Sequence, residues 1–253
     1  MGEISLRVDN AIAMIFICSI GWVLMGCNTP SSDPKVSATT VHQQLATPAF
    51  ILNPPSSADL MALSRQAADG VVYLPLVEST LPQEIKDNVV QDMARLKRTG
   101  SLSGGQITHE FSHLTEKRAA LNKDQALNFT PTEIGKLIQD MPLTGKWYSG
   151  AFNDGKYNSL YRLYESADGQ RKFEITEMYL DAENGSSMEV FYESLNHQVN
   201  QVPMTFEHLK SAQGEQIYNA SFNHRSRYYS LSSLGLSRAE VDLILKALTQ
   251  ASG

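Results

Sequence analysis

The chain has almost no cysteine. Cys18 and Cys27 are the two in 253 residues. Residues 28–253 can therefore form no disulfide, and they offer no thiolate nucleophile and no sulfur ligand for a metal. An excess of positive charge is also missing. Lys and Arg number 21 against 27 Asp and Glu, a net charge of −6, which excludes the basic footprint of a nucleic-acid-binding domain. No internal repeat and no sustained heptad occurs. Gly104-Gly105 is not followed by the Lys-Ser/Thr of a phosphate-binding loop, and Ser101-Leu102-Ser103-Gly104-Gly105 is not a nucleophile elbow. No apolar run reaches the about 20 residues that a membrane-spanning helix needs.

The longest apolar run, Ala11 to Met25, leads directly into Gly26-Cys27, with Asn28-Thr29-Pro30-Ser31-Ser32 beyond it. Its length suits the hydrophobic region of an export signal. Arg7 is the basic residue before it. Leu24-Met25-Gly26-Cys27 resembles a lipobox, so residues 1–26 resemble a bacterial lipoprotein signal peptide. That resemblance implies cleavage before Cys27, with lipidation of Cys27 by diacylglyceryl and then a further acyl chain such as palmitate. More than one chain is what stable anchoring requires. Asn28 stands where inner-membrane retention would show Asp. The implied location is the cell envelope, anchored by lipid to the outer membrane and facing the periplasm. Cys18 would leave with the signal. Residues 27–58, rich in Ser, Thr and Pro, read as a tether, because such sequence cannot offset its ordering entropy.

Beyond the tether the pattern is α+β, with N-terminal helices followed by an antiparallel β-meander and a C-terminal helix. Residues 59–142 read as a mainly helical region, and 143–253 as an antiparallel sheet with a closing helix. A helix is predicted from Ser57 towards a glycine stop at Gly70, and a strand over 71–77 interrupted by Pro75. A second helix follows Pro82, with Ile85, Val89, Met93 and Leu96 on one face and Lys97, Arg98 and Gly100 at its end. A third is predicted over 107–121. A fourth is predicted from Thr130 to Met141, because Thr130-Pro131-Thr132-Glu133 has the form of a capping box. Aromatics then crowd into 147–192. Asn153-Asp154-Gly155, Asp168-Gly169 and Asn184-Gly185 mark hairpins between strands at 146–153, 156–165, 171–181 and 187–195. Two further strands fall near 215–223 and 226–232. The last helix opens with a second capping box, Ser237 with Glu240.

His109-Glu110-Phe111-Ser112-His113 matches HExxH. On a helix, residues i and i+4 share a face, so His109 and His113 could bind one Zn²⁺ while Glu110 activates water. Glu133, 20 residues on, resembles the third ligand of the gluzincin metallopeptidases. The metzincin histidine is absent, since Ala119 takes its place. The same residues also read as an ordinary wet helix face, with Glu133 serving its capping box. No cofactor is implied apart from that zinc. His224-Arg225-Ser226-Arg227-Tyr228-Tyr229 reads either as a hairpin turn with solvated cations or as a docking edge for an acidic partner or anionic glycan. Gly145 and Trp147 resemble the opening Gly-x-Trp strand of small lipid-binding barrels, which implies a cavity. The leading expectation is a binding or assembly lipoprotein with an envelope protein as its partner and the membrane held through its lipid. The alternatives are a zinc metallopeptidase and a carrier of a small apolar ligand inside the sheet.

Overall fold

The computed structural model describes residues 52–63, 70–102, 118, 121, 123–138, 140–180, 188–211 and 213–250. The architecture is α+β, with N-terminal helices, a multi-strand antiparallel sheet and a C-terminal helix. In chain order the elements are α1 (Ser57–Leu63), β1 (Val71–Leu74), a 3-10 turn (Leu76–Glu78) and α2 (Gln83–Thr99). The strands β2 (Leu143–Asn153), β3 (Lys156–Glu165), β4 (Lys172–Tyr179), β5 (Met188–Phe191), β6 (His197–Val199), β7 (Val202–Lys210), β8 (Gln216–Asn223) and β9 (Arg227–Leu234) follow. Helix α3 (Arg238–Gln250) closes the chain.

The main sheet runs β2-β3-β4-β9-β8-β7-β6, every pair antiparallel. Two meanders thus meet at β4 and β9. One face carries Phe173, Ile175, Met204, Phe206, Tyr229 and Leu231, and α3 packs on it through Val241, Ile244, Leu245 and Leu248. These α3 residues follow helical spacing, and the helix starts as its sequence dictates. Glu240 Oε2 accepts from the Ser237 backbone N–H at 2.8 Å, and Ser237 Oγ accepts from the Glu240 N–H at 3.3 Å. Ile134, Ile138 and Met141 complete this core.

A thinner layer covers part of the opposite face. β1 and β5 pair in parallel as a separate two-stranded sheet, and Val71 and Met188 pack on Met178, Leu180 and Tyr228. Helix α2 lies beyond, its Val89 against Leu76, Leu81 and Phe191. It ends at Gly100, whose φ of +74° places it in the left-handed region that a glycine tolerates.

Three expectations need correction. The segment from Thr130 to Met141 is not a helix, since its described residues form only extended chain and turns. The strand near 187–195 does not extend the meander but leaves to pair with β1. Strands β6 and β7 were not predicted. They join through Asn200 and Gln201 at φ of +50° and +65°, a tight turn without the glycine that usually signals one. Pro203 within β7 is tolerated because it faces only the short edge strand β6, opposite Gln198. Among the described residues the sheet is open, with β2 and β6 at opposite ends of the strand order, and encloses no barrel interior.

Candidate functional site

Cys27, His109, Glu110 and His113 lie outside the described residues, as does most of the helix predicted over 107–121. Glu133 is described and is exposed. Its Thr-Pro-Thr-Glu context does not open a helix, because Thr132 is held by a distant carboxylate. Glu177 accepts from the Thr132 N–H at 3.0 and 3.2 Å and from its hydroxyl at 2.9 Å. Among the described residues no group of three His, Cys, Asp or Glu is placed to hold a metal.

Glu177 anchors a buried charge network. Its side chain is 0 % exposed and sits between two guanidiniums, Arg162 Nη2 and Arg227 Nη1, each at 2.8 Å. Arg162 Nη1 donates to the Thr132 carbonyl at 2.6 Å. The Tyr229 hydroxyl lies 3.1 Å from Thr132 Oγ1, and burial pushes its pKa up. The network staples the 130–138 segment to β3, β4 and β9. It also overturns one reading of the basic–aromatic cluster. Arg225 and Ser226 do form the hairpin turn, at φ of +50° and +57°, and Arg225 is exposed. Arg227, Tyr228 and Tyr229 are buried, so they cannot serve as a docking edge.

Two histidines of the C-terminal half, His197 and His208, make structural contacts. His197 Nδ1 accepts the Asn53 N–H at 2.9 Å, and Arg238 Nη2 lies 3.3 Å from Nε2. Burial, reinforced by the Arg238 charge, lowers its pKa to about 4. The ring of His208 stacks on Tyr218 at 4.7 Å.

The aromatics of residues 147–192 range from buried to exposed. Tyr161, Tyr164, Phe173 and Phe191 are core. Phe152 is 58 % exposed and Trp147 45 %, and both stand on β2, the edge strand. β2 and β3 turn through Asp154-Gly155, with φ of +50° and +76°, in the primed geometry that Asp-Gly favours. Between Ser149 and Phe152 the register shifts by a bulge. Gly150 makes the bulge possible, at φ of +83° and so close to Asn158 that a Cβ would lie 2.1 Å from its Oδ1. Asn158 Oδ1 accepts the Ala151 N–H at 2.7 Å, and its Nδ2 donates to the Tyr179 carbonyl at 3.1 Å. The bulge sets Phe152 opposite Tyr157, ring centroids 4.7 Å apart, with Tyr148 6.4 Å from Tyr157. The Tyr148 hydroxyl donates to Asp124, which also pairs with Lys146. Lys146 and Tyr148 together hold the Asp124 carboxyl below its usual range. The result is a braced hairpin that shows an aromatic cluster to solvent on a strand paired only with β3 among the described residues. The aromatic content of this stretch was visible in the sequence. Which rings face outward follows from the edge position of β2, which only the strand order reveals.

Among the described residues no helix is long and apolar enough to cross a membrane. No family model, no curated protein and no solved structure matches the chain.

Proposed function

We propose that this protein is a lipid-anchored component of the cell envelope that works by binding another envelope protein. In this reading Cys27 carries the lipid, the stretch between Cys27 and Leu52 sets the domain off from the outer membrane, Leu52 and Asn53 already being docked on the domain, and the β2–β3 hairpin is the contact surface. The observation that carries it is the exposed Trp147 and Phe152 on a strand paired only with β3 among the described residues. Large rigid aromatics gain contact area at low entropic cost and dominate binding energy at interfaces. An unpaired strand edge adds main-chain donors and acceptors to the same surface.

The test is a photo-crosslinking amino acid placed at Phe152 in living cells, with Lys210 on β7 as the control position. A defined adduct at Phe152 and none at Lys210 supports the reading. Trp147→Ser with Phe152→Ser should then weaken the partner by at least about 2 kcal/mol, near thirtyfold in Kd. A double variant that recovers the same partner at the same yield would refute this surface.

A further inference from the structure

A cavity of about 120 Å³ lies between the two layers. Its apolar wall comes from Val89 and Met93 of α2 and from Val190 and Phe191 of β5. Thr205, Ser221 and Asn223 of the main sheet face it from the other side. These small polar side chains, beside Pro203 and Tyr228, do not fill the space under the apolar layer, so a void remains. Thr205 is satisfied, its hydroxyl donating to the Ser194 carbonyl at 2.9 Å. Asn223 is not. The residue is 9 % exposed, and its Oδ1 is buried with no hydrogen-bond partner among the described residues. An unsatisfied buried amide oxygen costs folding free energy, which a bound donor would recover.

The charged lining narrows the chemistry further. Asp92 and Glu189 also line the cavity, Asp92 bonded to Arg95 at 2.9 Å and Glu189 to the Ser79 hydroxyl at 2.9 Å. Among the described lining residues there are two carboxylates and no basic side chain, which disfavours an anion. An apolar cavity of about 150 Å³ takes up benzene, so one of about 120 Å³ sets the limit at a single ring or a short chain.

We propose that this cavity is a binding site for a small neutral molecule with an apolar body and one hydroxyl group, the hydroxyl donating to Asn223. The site lies between the layers and not inside the sheet, and it is independent of the β2–β3 surface.

The experiment titrates purified full-length protein in detergent with phenol, anisole and benzoate, followed by calorimetry. Phenol should bind saturably. Anisole, which has no donor, should bind about tenfold or more weakly, and benzoate more weakly still. Asn223→Leu should erase the preference of phenol over anisole. Val190→Phe, which fills the cavity without touching the amide, should abolish uptake of both while circular dichroism stays unchanged. Absence of saturable phenol binding would mean that the cavity only holds water, and would overturn the proposal. Equal affinity for phenol and anisole, or phenol binding that survives Val190→Phe, would overturn it as well.

Discussion

Replacing Glu177 by Gln should be among the most damaging single changes available to the folded domain, although it alters one atom. The carboxylate is fully buried between Arg162 and Arg227 and also accepts from Thr132. An amide keeps the shape but leaves two buried guanidiniums with no counter-charge, and its NH₂ points at donors. Removing one partner from a buried ion pair costs about 3–5 kcal/mol, mostly from the stranded charge. That is a large share of a total stability of about 5–15 kcal/mol. With a urea m-value of about 2 kcal/mol/M, the unfolding midpoint should fall by about 2 M. Arg227→Met makes the opposite test. It removes the surplus cation and leaves Arg162 and Glu177 as a balanced pair, so what is lost is charge-assisted hydrogen bonding, about 1.5–3 kcal/mol, and the contact of the guanidinium with the Phe129 ring, 5.4 Å away. Urea unfolding of both variants, followed by tryptophan fluorescence, measures the difference. If Arg227→Met proves as destabilising as Glu177→Gln or more so, uncompensated charge is not what governs this site and the reasoning fails.

Three further outcomes are expected. His197 should make stability fall with acid. Its pKa is depressed to about 4 in the fold against an ordinary value of 6.5, so the unfolded chain takes up the proton first as pH drops. The contribution is intact above pH 6.5 and is lost between there and about 4, a fall of about 3 kcal/mol. Stability measured against pH for His197→Gln should lack that slope. Cys27→Ser should abolish labelling by radioactive palmitate and release the protein from the membrane fraction, and unchanged labelling would refute anchoring at this residue. Ser237→Ala removes the N-cap of α3 and should cost about 1 kcal/mol. A thermal midpoint within error of the wild type would show that the packed face of α3, not its cap, sets the helix start.

Local rules in the sequence determined those elements whose causes are themselves local. The Asp154-Gly155 turn fixed the β2–β3 hairpin because few other pairs adopt positive φ in succession at low cost. The four-residue spacing and Gly100 stop fixed α2, and the reciprocal bonds of Ser237 and Glu240 fixed the start of α3. The same capping rule failed at Thr130-Pro131-Thr132-Glu133. There Thr132 is bonded to Glu177, 45 residues away, and a buried charged acceptor outweighs a solvent-exposed helix cap. Nothing near Thr132 in the sequence announces Glu177. For the same reason Arg225 and Arg227, two residues apart, differ in burial, one exposed at a turn and the other inside the protein beside Glu177. Strand pairing was equally invisible from the sequence. β5 has the composition of a meander strand, yet it pairs with β1, more than a hundred residues earlier. That choice opens the cavity above Thr205, Ser221 and Asn223. The strand order, in turn, leaves β2 at an edge, so Trp147 and Phe152 stay exposed while Tyr161, paired with Trp147 one strand further in, is buried. The sequence decided that aromatic strands would form. Only the tertiary structure decided which of them has a second neighbour, because burial is a property of what lies across a strand and not of the strand itself.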